Sequence, residues 1–152
     1  MQKIVTCLWF GNDTEEAVRF YVSLFDDGEV LSEQRLPDGS LMTANFRIAG
    51  QTVMALGGRR PETQFTEAAS LLVNCADQAE VDRLWAALTA DGGAESMCGW
   101  CRDRFGVSWQ IVPTEMIELF GATDREAAGR AMQAMLQMRK IDLPALRTAF
   151  AG

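Results

Sequence analysis

Apolar and polar positions form the same succession of patterns in both halves of the chain. Short apolar runs and alternations predict strands, and apolar residues spaced three or four apart predict amphipathic helices. The first half predicts strands at 4–10, 29–36, 41–48 and 52–56, with a helix after the first strand. The second half predicts strands at 70–75, 94–97, 100–105 and 107–112, again with a helix after the first strand. Each half therefore predicts the order βαβββ.

The first turns of the two helices carry related sequences. Asp13-Thr-Glu-Glu16 recurs as Asp77-Gln-Ala-Glu80, at an offset of 64 residues. A residue with a short polar side chain followed three positions later by Glu is typical of a capping box, so both helices are predicted to begin here. The recurrence indicates a duplicated module rather than two unrelated segments.

The duplication predicts an α+β fold, in which two βαβββ modules form curved mixed sheets around a shared cleft and a C-terminal helical extension follows. We assign residues 1–58 to the first module, 59–68 to a linker, 69–113 to the second module and 114–152 to the helical tail. Within the tail, Thr123 to Glu126 reads as a further capping box, and Asp142 opens a last short helix. A stripe at helical spacing between them contains Ala128, Ala131, Met132, Met135 and Leu136.

Composition and charge exclude several classes of function. The net charge is −7 over 152 residues, which argues against a phosphate-binding surface for nucleic acid. No stretch approaches the roughly 20 apolar residues of a membrane span. The strand pattern begins close to Met1 and leaves no room for a signal peptide, and the four Cys are too few for a secreted disulfide scaffold. We therefore expect a cytoplasmic protein.

The chain contains no histidine. Histidine is the usual general base near neutral pH and the commonest metal ligand. Its absence excludes Ser-His-Asp and Cys-His nucleophilic arrangements and every zinc site that needs an imidazole.

Two cysteines form the motif Cys98-Gly-Trp-Cys101. The motif allows half of a metal site, although no second Cys pair stands at zinc spacing, or a redox dithiol, whose thiolate is commonly stabilised by a helix N-terminus. Here it falls between two predicted strands, which favours a hairpin that happens to carry two thiols. Cys7 and Cys75 fall in predicted buried strands and are expected to be small core residues.

A few polar or aromatic residues lie on strands that are otherwise apolar. Thr6, Ser70 and Gln110 either bond to each other and to the backbone, or face a cavity that holds water and ligand. Asn45 is a similar candidate, and Trp100 could form the wall of an aromatic pocket. The charged run from 102 to 104, Arg-Asp-Arg, predicts a solvated edge, with binding of a carboxylate or phosphate as the alternative.

Several short stretches, spread over most of the chain, together resemble a known family. They are Cys7-Leu-Trp-Phe10, Glu15-Glu-Ala-Val18, Phe20-Tyr21, Val73-Asn-Cys75, Glu80-Val-Asp-Arg83, Cys98-Gly-Trp100, Asp103, Gly106-Val-Ser-Trp-Gln110, Met132-Gln-Ala-Met135 and Lys140-Ile141. The family is the vicinal oxygen chelate superfamily, which includes glyoxalase I and fosfomycin-resistance proteins, and within it the PhnB-like branch. The resemblance implies paired βαβββ modules and a homodimer. That branch is also labelled a demethylubiquinone methyltransferase, but the Gly-rich turn of a methyl-donor site is not found here.

The resemblance also implies where a metal would be held in the metal-using members of the superfamily. Its four ligand positions fall on Thr6, Met54, Ser70 and Gln110. Two hydroxyls, a thioether and an amide supply no negative charge to a divalent cation. We therefore expect no metal and no other cofactor.

These observations favour a protein that binds a small, largely apolar molecule in a metal-free cleft. The candidate residues of the cleft are Thr6, Asn45, Met54, Ser70, Trp100 and Gln110. One alternative is a metal-free lyase or isomerase acting on a small metabolite, with Glu33 or Asp103 as the acid–base group and Gln110 as an oxyanion donor. A second alternative is a redox protein that uses Cys98 and Cys101.

Overall fold

The structure is a computed structural model, and it describes residues 2–152. The described chain divides into two compact units, one up to residue 64 and one from residue 65 to residue 152. The division falls inside the segment that the sequence predicts as a linker. The helical tail belongs to the second unit.

The first unit is one βαβββ module. Its elements are β1 (Thr6–Trp9), α1 (Thr14–Ser23), β2 (Glu29–Arg35), β3 (Leu41–Ile48) and β4 (Gln51–Leu56). The strand order in the sheet is β1-β4-β3-β2, with β1 parallel to β4 and the other pairs antiparallel. One face of α1 packs on the sheet, where the Tyr21 ring stacks on Phe46 with centroids 6.2 Å apart. Ala17, Val18 and Leu24 complete the buried face of this helix region.

The second unit repeats the module and adds three helices. Its elements are β5 (Ser70–Cys75), α2 (Gln78–Thr89), β6 (Ala94–Glu95), β7 (Trp100–Arg102), β8 (Ser108–Pro113), α3 (Thr114–Phe120), α4 (Arg125–Met135) and α5 (Leu143–Ala151). The strand order β5-β8-β7-β6 matches that of the first sheet. The α+β class, the two βαβββ modules and the C-terminal helices are therefore confirmed. Strands β6 and β7 are shorter than the sequence predicts.

The capping predictions hold for some helices and fail for others. Asp77 accepts a hydrogen bond from the Glu80 backbone N–H at 2.9 Å, and Asp142 caps α5 in the same way. Helix α1 begins where predicted, directly after Asp13, but the predicted side-chain cap was wrong: Asp13 has φ −94° and ψ 13°, not the extended backbone of a capping residue, and its side chain makes no capping bond. In α4 the capping residue is Asp124 rather than Thr123.

The tail is fastened to the second module through backbone hydrogen bonds. The N–H groups of Cys98 and Gly99 donate to the carbonyls of Met138 and Arg139, each at 2.8 Å. The Gln78 side chain donates to the Ile141 carbonyl at 2.9 Å and accepts from the Leu143 N–H at 2.8 Å. A small apolar core lies beneath, built from Val112, Met116, Ile141, Leu143 and Leu146. The tail thus supports the turn between β6 and β7.

The predicted stripe on α4 is only partly buried. Ala128 and Ala131 are buried, but Met132 is 39% exposed and Leu136 is 45% exposed.

Nowhere in residues 2–152 is a helix both long enough and apolar enough to cross a membrane.

Candidate functional site

The two faces of the second sheet have different environments. Cross-strand partners place their side chains on the same side, so the pairing separates the residues of β5, β7 and β8 into two sets. Cys101, Trp109 and Ile111 share the face covered by α2 and are buried. Residues of the opposite set are Ser70, Leu72, Trp100, Ser108 and Gln110, and we call their side of the sheet the open face. Leu72 is 50% exposed there, so no element of the second unit covers this face completely.

The open face brings three of the predicted site residues together. Gln110 Nε2 donates a hydrogen bond to Ser70 Oγ at 2.9 Å. Trp100 is the direct cross-strand partner of Gln110 on β7. Ser70 and Gln110 therefore satisfy each other in part, and an aromatic ring lies next to them.

The other three candidates lie on two different faces of the first sheet. Asn45 and Met54 are cross-strand partners and share one face, and Asn45 Nδ2 donates to Ser32 Oγ at 3.0 Å. Thr6 pairs with Val53, which is buried under α1, so Thr6 lies on the opposite face from Met54. The expectation that Thr6 and Met54 act together in one site does not agree with this register. The β1 residue that pairs with Met54 is Cys7, the neighbour of Thr6. Because successive residues of a strand point to opposite faces, this difference of one residue places Thr6 on the other face.

A groove of about 420 Å³ lies at the open face of the second unit. It is lined by residues 65–67, by parts of β6 and β7, and by Ser108. Trp100 is the predicted site residue that lines it. Ser108, which is only 7% exposed, was not predicted as a site residue, although its two-residue spacing from Gln110 places it on the same face.

The tryptophans differ in how their indole N–H groups are used. Trp9 donates to the Gly57 carbonyl at 2.9 Å, Trp85 to Glu95 Oε1 at 2.8 Å, and Trp109 to Asp103 Oδ2 at 2.9 Å. Within residues 2–152, the indole of Trp100 has no acceptor. An indole N–H usually finds a hydrogen-bond partner, so one without a protein acceptor is available to a ligand or to water. Trp100 is therefore the tryptophan best placed to contact a bound molecule.

Asp103 is a structural residue, and the expectation of a solvated edge was wrong for it. Its side chain is 1% exposed. Oδ1 accepts from the backbone N–H groups of Phe105 and Val107, at 2.9 and 3.0 Å, and Oδ2 accepts from Trp109. Three donors hold this carboxylate inside the turn from β7 to β8, so it does not face the groove as an acid–base group. Glu33, the other acid–base candidate, is exposed on β2 and accepts from Arg35 Nη2 at 2.9 Å.

The cysteines do not form a reactive pair. All four are free, and Cys101 is buried on the face covered by α2. Burial, with a smaller contribution from the charge of Asp103, raises the pKa of the Cys101 thiol to about 12. A redox dithiol needs the opposite shift, because the thiolate is the reacting species. The environment of Cys101 therefore disfavours the redox alternative.

The four positions implied for a metal do not fit a cation. Thr6 lies on the other face of its sheet from Met54, and the Gln110 amide is bonded to Ser70. The donors are neutral oxygens and a thioether, which offer no charge compensation to a hard divalent ion. In the described part of the chain, no three His, Cys, Asp or Glu side chains gather into a group that could hold an ion.

A second groove, of about 390 Å³, lies in the first unit. It is lined by residues at the start of α1, by Leu41 and Met42, and by Gly57 and Gly58. None of the six predicted site residues lines it.

Comparison with known proteins agrees with this architecture. The sequence profile of the family described as 3-demethylubiquinone-9 3-methyltransferase matches residues 2–112. A PhnB protein from Bacillus cereus, provisionally described under the same methyltransferase name, is 35% identical, with a TM-score of 0.69 over 74% of this chain and 99% of that chain. Protein PA1353 from Pseudomonas aeruginosa is 24% identical, with a TM-score of 0.61 over 74% of this chain and 98% of that chain.

A more distant similarity extends to a resistance protein. FosX, the genomically encoded fosfomycin resistance protein from Listeria monocytogenes, is 16% identical, with a TM-score of 0.54 over 74% of this chain and 90% of that chain. At this identity the likeness concerns the fold alone. No curated protein sequence matches the chain.

The family name describes a methyl transfer, but the two sheets do not provide its usual binding site. Each sheet contains one parallel pair and two antiparallel pairs, whereas a methyl-donor site is built on a largely parallel sheet with a Gly-rich turn. Helices α3 to α5 lie beyond the matched residues 2–112 and are an addition to the shared fold. By its sequence match over residues 2–112 and its paired βαβββ modules, the chain belongs to the PhnB-like family that is described as 3-demethylubiquinone-9 3-methyltransferase.

Proposed function

We propose that this protein binds a small, largely apolar molecule, without a metal, in the groove on the open face of the second sheet. The observation that carries the proposal is Trp100, which lines the groove while its indole N–H has no protein acceptor in residues 2–152. Ligand pockets of a few hundred Å³ are typically walled by aromatic side chains with a few polar groups that fix orientation. Ser108 supplies a hydroxyl at the groove, and Ser70 and Gln110 lie on the same face beyond it.

The proposal includes no chemical step, because the groups suited to one are used elsewhere. Asp103 is enclosed by three N–H donors, and Glu33 lies in the first unit in an ion pair with Arg35. The thiol of Cys101 is buried on the other face. These placements support binding over the lyase, isomerase and redox alternatives.

The experiment is a thermal-shift screen of a panel of small metabolites, with and without EDTA. Ligand binding raises the melting temperature by mass action, by an amount that grows with ligand concentration over the dissociation constant. We expect at least one apolar compound to stabilise the wild-type protein equally in both conditions. The same compound should not stabilise Trp100→Ala. The matched control is Ile117→Ala, which shortens a 54% exposed apolar side chain on α3, outside the groove.

Three outcomes would contradict the proposal. Stabilisation that disappears with EDTA would mean that a metal takes part. Equal stabilisation of the Trp100→Ala variant would place the ligand outside the groove. Conversion of the stabilising compound, followed by mass spectrometry of the reaction mixture, would make the protein an enzyme.

A homodimer in the cytoplasm remains the expectation that the family resemblance and the composition support. Light scattering coupled to gel filtration should then report about twice the chain mass of 16.8 kDa.

A further inference from the structure

The arginines of the second unit are almost all engaged by the protein itself. Arg125 and Arg130 donate to backbone carbonyls, and Arg139 and Arg147 form ion pairs with Glu95 and Glu115. Arg83 and Arg104 also have partners. Within the part of the chain that the structure describes, Arg102 is the arginine whose guanidinium has neither a hydrogen-bond nor an ion-pair partner.

Arg102 lies on the wall of the groove. It follows Trp100 by two residues on β7, and its cross-strand partner on β8 is Ser108, so all three share the open face. All three also line the groove. An unpaired cation, an indole and a hydroxyl thus converge on one cavity.

The two glutamates that line the groove form no ion pair with Arg102. Glu95 lines the same groove, but it accepts from the Trp85 indole at 2.8 Å and lies 3.6 Å from Arg139 Nη1. Glu67 also lines the groove and makes no ion pair with Arg102. The single available positive charge suits one negative charge on a ligand, and the neighbouring carboxylates oppose a ligand with two.

We infer that the molecule bound in the groove is a monocarboxylate with an apolar ring or chain, whose carboxylate is bound by Arg102 and whose apolar part lies against Trp100. A guanidinium presents paired N–H donors that match a carboxylate, and it does so without a change in its protonation. The inference rests on the proposed function, since it specifies the ligand class of the same groove.

The test uses two probes of nearly the same shape, naphthalene-2-carboxylate and naphthalene-2-carboxamide. Both have the same apolar ring system, and only the first is charged. Their dissociation constants are measured by ligand-observed NMR titration against the wild-type protein, Arg102→Gln and Arg19→Gln. Arg19→Gln removes the same charge at an exposed helix position in the first unit, and Arg19 does not line the groove. Trp100→Ala is titrated in parallel to locate the bound probes.

We expect the wild-type protein to bind the carboxylate about three- to tenfold more tightly than the carboxamide, the range of a solvent-accessible, charge-assisted pair. Arg102→Gln should remove this preference by weakening binding of the carboxylate more than binding of the carboxamide, whereas Arg19→Gln should retain the preference. The preference should also decrease between 0.05 and 0.5 M salt, because an accessible ion pair is screened.

The possible contrary results separate the two proposals. If both probes bind equally and Trp100→Ala weakens both, the groove binds apolar molecules but Arg102 does not select a carboxylate, and the inference is wrong. The same conclusion follows if Arg102→Gln weakens both probes to the same extent. If neither probe binds, the inference is wrong, and the thermal-shift screen still decides the proposed function. If Trp100→Ala binds both probes as well as the wild type does, the probes bind outside the groove, and the proposed function and the inference both fail.

Discussion

Replacing Asp103 should destabilise the fold rather than remove a chemical activity. In Asp103→Ala, the backbone N–H groups of Phe105 and Val107 and the indole N–H of Trp109 lose their acceptor. Each orphaned buried donor costs about 1–3 kcal/mol. Since water can enter part of the vacated space, we expect a total loss of about 3–5 kcal/mol in the free energy of unfolding, similar to breaking a buried charged network.

Asp103→Asn provides a finer perturbation. The amide oxygen can still accept from the two backbone N–H groups, but the amide nitrogen then faces the indole N–H of Trp109, so that two donors oppose each other. We expect a loss of about 1–3 kcal/mol. In the Trp109→Phe background the opposing donor is absent, so the same Asn substitution should cost at least about 1 kcal/mol less.

Urea denaturation followed by far-UV circular dichroism measures these differences, and thermal melts provide a second readout. At about 2–4 °C per kcal/mol for a chain of this size, Asp103→Ala should lower the melting temperature by roughly 6–20 °C. The structural role of Asp103 would be refuted if Asp103→Asn left the stability within about 0.5 kcal/mol of wild type, the range of ordinary surface substitutions, while abolishing ligand binding or turnover.

Three further results are expected. Gly99→Ala should destabilise the protein by about 1–2 kcal/mol in urea denaturation, because Gly99 has φ +82° and an added Cβ would lie 3.0 Å from a carbonyl oxygen of β8. Gly129→Ala is the matched control: an added Cβ meets nothing within 4 Å on α4, so a gain of up to about 1 kcal/mol is expected. Cys75 and Cys101 should resist iodoacetamide at pH 8 in the native protein and react after unfolding, since burial raises the pKa of both thiols to about 12, and rapid native alkylation would contradict this. The backbone N–H groups of Gly50 and Ala49 donate to Asp27 and lower its pKa below the ordinary value of 3.8. The carboxylate of Asp27 therefore stabilises the fold above pH 3.8, and this stabilisation is lost as the pH falls through the lower pKa of the folded state. The Asp27→Asn variant should therefore show a weaker loss of stability between pH 4 and pH 2, and an unchanged acid transition would contradict the assignment.

Local patterns predicted the regular parts of the fold well. Strands β3 and β5 have the predicted bounds, Leu41–Ile48 and Ser70–Cys75, because their residues continue the strand pattern up to a clear turn signal. Helix α3 was missed, because it begins directly at the end of β8 without a capping residue and Pro113 reads as a stop.

The candidate site was predictable only in part, because residues from different strands meet through register. The offset of 64 residues placed Thr6 and Ser70 in equivalent positions. In the sheets, Met54 pairs with Cys7, and Gln110 pairs with Leu72. Cys7 and Leu72 are 65 residues apart, not 64. A difference of one residue moves a side chain to the other face, and no local pattern in the sequence reveals it.

Asp103 shows a second limit of sequence reasoning. Flanked by two arginines, it has the local pattern of a solvated charge, yet it is 1% exposed. Its burial depends on donors up to six residues away that only the turn between β7 and β8 brings together. Buried polar networks of this kind are set by tertiary geometry rather than by local charge pattern.

The most direct test of the account is the indole region of a ¹⁵N NMR spectrum of EDTA-treated protein, titrated with the stabilising compound from the thermal-shift screen. If the groove is a metal-free binding site, the indole N–H signal of Trp100 moves in proportion to ligand occupancy. The signals of Trp9, Trp85 and Trp109, which donate to protein acceptors, should change little. A stationary Trp100 signal, or a response only after a divalent cation is added, would contradict a metal-free site on the open face.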